Sequence, residues 1–168
     1  MTQPWSLWLL PDARDNVKYK NIIKNISLET GLSYFEPHLT LFGRINANPE
    51  PFFELFEDMA NKQKRISTKV KKIKFGTSYW KSFYIDIEKN SSLEALQKQM
   101  IVPINHLRDY LFDPHLSLAY GSTDEMRYLT KEINLEEVIS FNSVAIAFVP
   151  FNVDSWKIID KFEFNFEL

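Results

Sequence analysis

The sequence predicts a single α+β domain, residues 1–168, in which strands and amphipathic helices alternate. Three observations support this fold class. Segments with apolar residues at every second position alternate with segments of helical spacing from end to end. Hydrophobic residues make up 45% and aromatic residues 15% of the 168 residues, which is enough for one sizeable core. No linker, low-complexity tract or change of composition divides the chain.

In the N-terminal half the predicted order is strand, helix, strand, helix. Residues 5–10 alternate as a strand does and stop at a proline. Residues 16–30 have apolar side chains at helical spacing and end at a glycine, which favours a helix. A second strand is expected over 35–45, and an amphipathic helix over 50–64.

After residue 64 the chain continues this alternation with more strands. Strands over 67–75 and 79–88 are expected around a turn at Gly76, and a helix begins at the serine pair 91–92 and ends near Pro103. The remaining predicted elements are a strand over 114–120, a short helix over 125–133, and a strand pair over 141–150 and 156–166.

Composition excludes several functional classes. The chain has no cysteine, which rules out disulfides, thiolate metal sites and cysteine nucleophiles. Its four glycines cannot form a phosphate-binding glycine loop, and a net charge of −2 argues against coating long nucleic acids. The apolar N-terminal run has no positive region before it, so a signal peptide is not expected. The least charged stretch, residues 138–153, alternates like a strand and is too polar to span a membrane. We therefore expect a cytoplasmic protein, and a chain of this size is expected to be a monomer.

Two segments of the sequence match in register, one in each half of the chain. They are Glu36-Pro-His-Leu-Thr-Leu-Phe-Gly43 and Asp113-Pro-His-Leu-Ser-Leu-Ala-Tyr-Gly121. Each reads acid, proline, histidine, leucine, hydroxyl and leucine before a strand end with glycine. Two of the three histidines in the chain share this context, so coincidence is a poor explanation.

The spacing of these motifs has a geometric consequence. Because side chains alternate faces along a strand, His38 and Thr40 share one face, as do His115 and Ser117. A buried, hydrogen-bonded histidine would explain either motif alone. The pair instead predicts a cleft with two imidazoles and two hydroxyl groups.

Such a cleft suits displacement at phosphorus. One neutral imidazole can remove a proton from water while the other, protonated, gives a proton to the leaving oxygen, because the ordinary pKa of histidine is about 6.5. Thr40 and Ser117 would donate hydrogen bonds to the phosphate oxygens. The near-identical motifs do not indicate which histidine is the base.

The two motifs resemble those of the 2H phosphoesterase superfamily, and among its members the plant and fungal type of cyclic phosphodiesterase is most similar. The opening Ser6-Leu-Trp-Leu-Leu-Pro11 and a late strand pair with Trp156 extend the resemblance over nearly the whole chain. It implies a bilobal fold with two pseudo-symmetric antiparallel sheets facing a central cleft and helices outside. It implies that His38 and His115 are catalytic and that Thr40, Ser117 and Tyr120 bind substrate.

The resemblance also implies hydrolysis of nucleoside 2′,3′-cyclic phosphates or ADP-ribose 1″,2″-cyclic phosphate to monophosphates, without a metal ion or other cofactor. Strict alternation would place Tyr120 on the face opposite His115, so its role requires a strand end or a bulge. Two alternatives remain: an enzyme of the same superfamily that acts on RNA 3′ ends or 2′,5′ bonds, and a non-catalytic nucleotide- or RNA-binding module.

Other candidates have simpler explanations. His106 lacks the motif and is expected at the surface, and Trp5 and Trp8 are expected in the core. A basic run holds seven of the 20 cations and is interpreted as a charged strand edge rather than an RNA guide; it comprises Lys62, Lys64, Arg65, Lys69, Lys71, Lys72 and Lys74.

Overall fold

The computed structural model describes residues 3–122, 124 and 126–165. Within these residues the strands are β1 (Trp5–Pro11), β2 (Leu39–Ile45), β3 (Ile66–Ser78), β4 (Lys81–Ile87), β5 (His115–Ala119), β6 (Val138–Phe148) and β7 (Lys157–Glu163). The helices are α1 (Ala13–Thr30), α2 (Phe53–Asn61), α3 (Ser91–Met100) and α4 (Met126–Leu129). Short 3-10 turns cover Glu50–Phe52, Thr130–Glu132 and Val153–Ser155.

The strands form one antiparallel sheet in the order β1-β2-β5-β4-β3-β6-β7, and β1 also pairs with β6. Because of this extra pairing, strands β1 to β6 form a closed ring in which each strand pairs with two others. Two lobes are recognisable, one of β2, β1, β6 and β7 and the other of β5, β4 and β3. They meet where Leu39 of β2 pairs with Leu116 of β5, and where β3 pairs with the first residues of β6.

The expected α+β class and bilobal arrangement are therefore confirmed, with the two expected sheets joined into one. Helix α1 packs on β1 and β5, α2 on β6 and β7, and α3 on β3. The side chain of Gln97 in α3 also donates to the carbonyl of Leu41 in β2, 3.1 Å away. The helices thus cover the apolar faces of the strands, and the alternate faces of β2 and β5 remain for the cleft.

Strand β2 begins later than its alternating pattern predicts. Residues 35–38 are not paired as a strand, and β2 starts at Leu39. Pro37 has no N–H to donate, and the carbonyl of Glu36 accepts a hydrogen bond from the His38 ring rather than from a neighbouring strand. The same arrangement precedes β5, which begins at His115 directly after Pro114.

The turn between β3 and β4 lies later than predicted. Gly76 is inside β3, and the turn falls at Tyr79 and Trp80. A Cβ atom at Gly76 would overlap the Lys81 carbonyl oxygen, because the register of the two strands shifts between Phe75 and Ser78. Glycine is needed here for close approach of two backbones rather than for a turn.

The remaining differences lie at element ends. Helix α1 begins at Ala13, three residues earlier than predicted, because the Asp12 side chain caps it by accepting from the Asp15 N–H. Residue 125 of the predicted short helix and residue 166 of the last predicted strand lie outside the described residues. In the described part of the chain no helix is both long and apolar enough to cross a membrane.

Candidate active site

A cavity of about 180 Å³ lies where the two lobes meet. Four of the five sequence-predicted residues line it, namely His38, Thr40, His115 and Tyr120. The fifth, Ser117, is buried and does not line the cavity. The structure therefore brings the two motifs together, as the antiparallel pairing of Leu39 with Leu116 requires.

The two imidazoles are held in the same way. His38 Nδ1 lies 2.7 Å from the carbonyl oxygen of Glu36, and His115 Nδ1 lies 2.7 Å from that of Asp113. A carbonyl oxygen can only accept, so each Nδ1 carries the proton and donates it. In the neutral ring this leaves the lone pair on Nε2, the nitrogen that is available for chemistry.

His38 is enclosed by aromatic rings and is only 4% exposed. The Trp8 ring stacks on it with ring centres 3.7 Å apart and an interplanar angle of 12°. Phe35 and Trp156 present edges at 6.1 and 5.9 Å. Burial lowers the pKa of His38 to about 4 and outweighs the hydrogen bond to Glu36, and the nearby His115 lowers that pKa further. His38 is therefore neutral at pH 7.

His115 has a more polar environment. It is half-buried, and Tyr84 presents an edge to it at 5.4 Å between ring centres. Burial lowers its pKa, and the charge of Lys81 acts in the same direction, whereas the Asp113 carbonyl and the carboxylates of Asp113 and Asp86 raise it. On balance the pKa of His115 is lowered, but these raising interactions with carboxylates are ones that His38 lacks.

The hydroxyl groups of the two motifs are not equivalent. Thr40 lines the cavity beside His38, whereas Ser117 does not line it and is buried near the Tyr120 side chain. Strand β5 ends at Ala119, so strict alternation no longer applies at Tyr120, and its ring lies on the cavity side with His115. Burial raises the pKa of Tyr120, so its hydroxyl stays protonated and can donate.

Several residues of the site were not predicted from the sequence. Trp8 is buried as expected, but it faces His38 rather than only core side chains. The other lining side chains outside the predicted set include Ser6, Arg44, Trp80, Tyr110 and Trp156. Strand periodicity contains a signal for only some of them, namely the even spacing of Ser6 and Trp8 along β1 and of Arg44 with Thr40 along β2. Trp80, Tyr110 and Trp156 lie between the strands and helices, where periodicity predicts nothing.

The cavity has positive rather than negative character. Arg44 is the permanently charged side chain among the described lining residues, and no carboxylate lines the cavity. Across the described ranges, no group of three or more His, Asp or Glu side chains is placed to hold a metal ion. His106 is exposed, and none of the seven cations of the basic run lines the cavity. Such a site suits an anion held by imidazole, hydroxyl and guanidinium groups.

Comparison with known proteins agrees with this geometry. Residues 1–164 match the sequence profile of a family described as "Cyclic phosphodiesterase-like protein". No curated protein sequence matches the chain significantly. Among solved structures, TT0787 of Thermus thermophilus is 12% identical with a TM-score of 0.63, covering 98% of this chain and 100% of that chain. E. coli LigT in apo form is 12% identical with a TM-score of 0.60, covering 96% of each chain.

E. coli LigT complexed with 3′-AMP is 11% identical with a TM-score of 0.61, covering 99% of this chain and 100% of that chain. At such low identities these structures show a common fold, not a common substrate.

Proposed function

Because this chain belongs to the cyclic phosphodiesterase-like family of 2H phosphoesterases, we propose that it hydrolyses cyclic phosphate esters through His38 and His115. The substrates would be nucleoside 2′,3′-cyclic phosphates or ADP-ribose 1″,2″-cyclic phosphate, opened to monophosphates. One observation carries the proposal: two imidazoles, each tied through Nδ1 to a carbonyl two residues earlier, belong to one cavity. The binding of 3′-AMP by LigT supports a nucleotide as the substrate class.

We assign the base to His38 and the acid to His115. His38 is neutral at pH 7, and its Nε2 lone pair can take a proton from the attacking water. As the water oxygen bonds to phosphorus, one phosphorus–ribose oxygen bond breaks, and His115 gives its Nε2 proton to the leaving oxygen. Burial lowers the pKa of His115 in the free protein, and the negative charge of the bound phosphate, together with Asp113 and Asp86, would oppose this and favour the protonated form.

The hydroxyl groups complete the proposed mechanism. The Thr40 hydroxyl would donate to a non-bridging phosphate oxygen, where negative charge is held through the transition state. Tyr120, which lines the cavity, would donate to a second oxygen. Ser117 does not line the cavity, so the phosphate contact expected from its motif position is assigned to Tyr120 instead.

Hydrolysis of the four nucleoside 2′,3′-cyclic phosphates in excess EDTA tests this function. We expect turnover to a single monophosphate isomer, identified by phosphorus NMR. Replacing either catalytic histidine by alanine should lower kcat by roughly 10²–10⁴-fold, the contribution typical of general acid–base catalysis. The exposed His106→Ala variant is the matched control and should retain the wild-type rate.

Three outcomes would contradict the proposal. Near-normal turnover in His38→Ala would exclude the two-histidine mechanism. Binding of the same nucleotides without turnover would favour the non-catalytic module. Turnover confined to RNA with a 2′,3′-cyclic end would favour the RNA-processing alternative, although none of the seven cations of the basic run lines the cavity.

A further inference from the structure

We propose that Arg44 and Arg108 form a second anion subsite beside the cleft, which binds a phosphate group carried elsewhere on the substrate. This inference rests on the proposed hydrolysis of cyclic phosphates, since the subsite is defined by its place next to the two histidines. The substrate class it selects is a cyclic phosphate ester that bears a further phosphate group.

The backbone of Arg44 has an unusual conformation. Its φ angle is 53°, and no other non-glycine residue in the described ranges has a positive φ. At this point β2 contains one extra residue opposite β1. The Arg44 N–H donates to Ser6 Oγ at 2.9 Å, and its carbonyl accepts from Arg108 at 3.1 Å. Glycine would adopt this conformation without strain, so the presence of arginine indicates a use for the side chain.

The guanidinium group of Arg44 is held by aromatic rings. Its Cζ atom lies 4.5 Å from the centre of the Phe151 ring and 5.1 Å from that of Trp80. Contacts of a cation with aromatic rings hold the charge without using its N–H groups as hydrogen-bond donors. None of these N–H groups has a hydrogen-bond acceptor among the described residues.

A second guanidinium lies beside the first. Arg108 donates to the carbonyl of Gly43 at 2.7 Å, and burial, together with the charge of Arg108, lowers the pKa of Arg44. Neither arginine forms an ion pair with a described carboxylate, whereas Arg14 and Arg65 both do. Two neighbouring positive charges without an acidic partner repel each other, and a bound anion would relieve this repulsion.

The volumes of the cleft and of a neighbouring cavity indicate which part of the substrate would carry the phosphate group bound at this subsite. The cleft holds about 180 Å³, which is below the roughly 300–1,000 Å³ typical of small-molecule pockets. A cyclic phosphate and its ribose would fill it, and the rest of the substrate would emerge past Arg44. Arg44 also lines a neighbouring cavity of about 310 Å³, together with Arg108. A phosphate on the emerging part would meet both guanidinium groups.

A set of matched substrates tests the subsite. Adenosine 2′,3′-cyclic phosphate is compared with its 5′-phosphate, its 5′-diphosphate, and a dinucleotide that ends in the same cyclic phosphate. We expect kcat/KM to be roughly 10- to 100-fold higher for at least one substrate with a further phosphate, as charge-assisted contacts allow. Preference for the diphosphate would identify a small pyrophosphate ester as the source, and preference for the dinucleotide an RNA end.

Variants identify the residues responsible. Arg44→Asn should abolish most of the preference, because asparagine tolerates the left-handed backbone but has no charge. Arg44→Lys should retain part of it, Arg108→Gln should weaken it, and Lys72→Gln, a change of an exposed cation that does not line the cleft, should leave it unchanged. Equal kcat/KM on all four substrates, or a preference that persists in Arg44→Asn, would overturn the subsite while the proposed function stands.

A binding measurement separates the two proposals. If no substrate is hydrolysed, the proposed function fails, and the affinity for inorganic pyrophosphate decides the subsite. Binding is followed by tryptophan fluorescence, since Trp80 lies against the Arg44 guanidinium. We expect a Kd about tenfold weaker in Arg44→Asn than in the wild type or Lys72→Gln. Equal Kd values in all three proteins would overturn the subsite.

Discussion

Acid should destabilise this fold through His38. Burial lowers the pKa of His38 to about 4 in the folded chain, whereas an unfolded histidine titrates near 6.5. Between these values the unfolded state binds a proton that the folded state does not, so this contribution to stability is fully present above pH 6.5 and is lost as the pH falls towards 4. At 1.36 kcal/mol per pH unit the whole difference is about 3 kcal/mol.

Urea denaturation at a series of pH values measures this contribution. About 2 kcal/mol of it should disappear between about pH 7 and pH 4.5, in addition to the losses from carboxylates. His38→Asn removes the titrating ring but keeps an amide N–H near the Nδ1 position, so it should lack this extra loss. The exposed His106→Asn is the control and should follow the wild type. Parallel curves for wild type and His38→Asn would refute the argument that a buried, neutral His38 contributes to the pH dependence of stability.

Three further predictions concern the site and its support. Trp8→Leu should hydrate His38 and raise its pKa, moving the acid limb of the kcat/KM profile about one pH unit higher; an unmoved limb would show that stacking does not control protonation. Thr40→Val should lower kcat by roughly 10²–10³-fold with little change in folding, and a smaller loss would exclude a transition-state hydrogen bond. Gly76→Ala should cost about 1–3 kcal/mol in urea unfolding by forcing β3 and β4 apart, whereas Gly31→Ala meets no atom within 4 Å and tests backbone strain alone.

The fold class and the main site residues could be predicted from local pattern. The repeated His-x-Thr/Ser motifs place an imidazole and a hydroxyl on one strand face, and the structure brings His38, Thr40 and His115 to one cavity. The roles of these residues stay predictions until turnover is measured. The end of β5 at Ala119 also supplies the strand end that a cavity-facing Tyr120 requires.

Predictions failed where a backbone group had a partner that strand periodicity does not describe. Residues 35–38 alternate like a strand, yet the Glu36 carbonyl binds the His38 ring, so pairing begins only at Leu39. Gly76 looks like a turn residue, but it is required because β4 comes too close for a Cβ. In both cases the structure depends on a contact between a backbone atom and one particular neighbouring residue. The composition of the chain and the spacing of its apolar residues do not predict such a contact.

By itself the sequence determined the two motifs, the alternating elements and the absence of cysteine and glycine-loop chemistry, since these depend on residue identity and on a periodicity of two or 3.6 residues. Only the tertiary structure decided that Trp8 stacks on one histidine and not on the other, and that an irregularity in β2 aims Arg44 into the cleft. The two motifs are almost identical, but their surroundings differ, because burial and charge at each imidazole come from strands and loops distant in the chain. The spacing of residues in the two motifs therefore predicted that their imidazole and hydroxyl groups share one cleft. The packing of distant segments decided the protonation state of each imidazole and the residues around it.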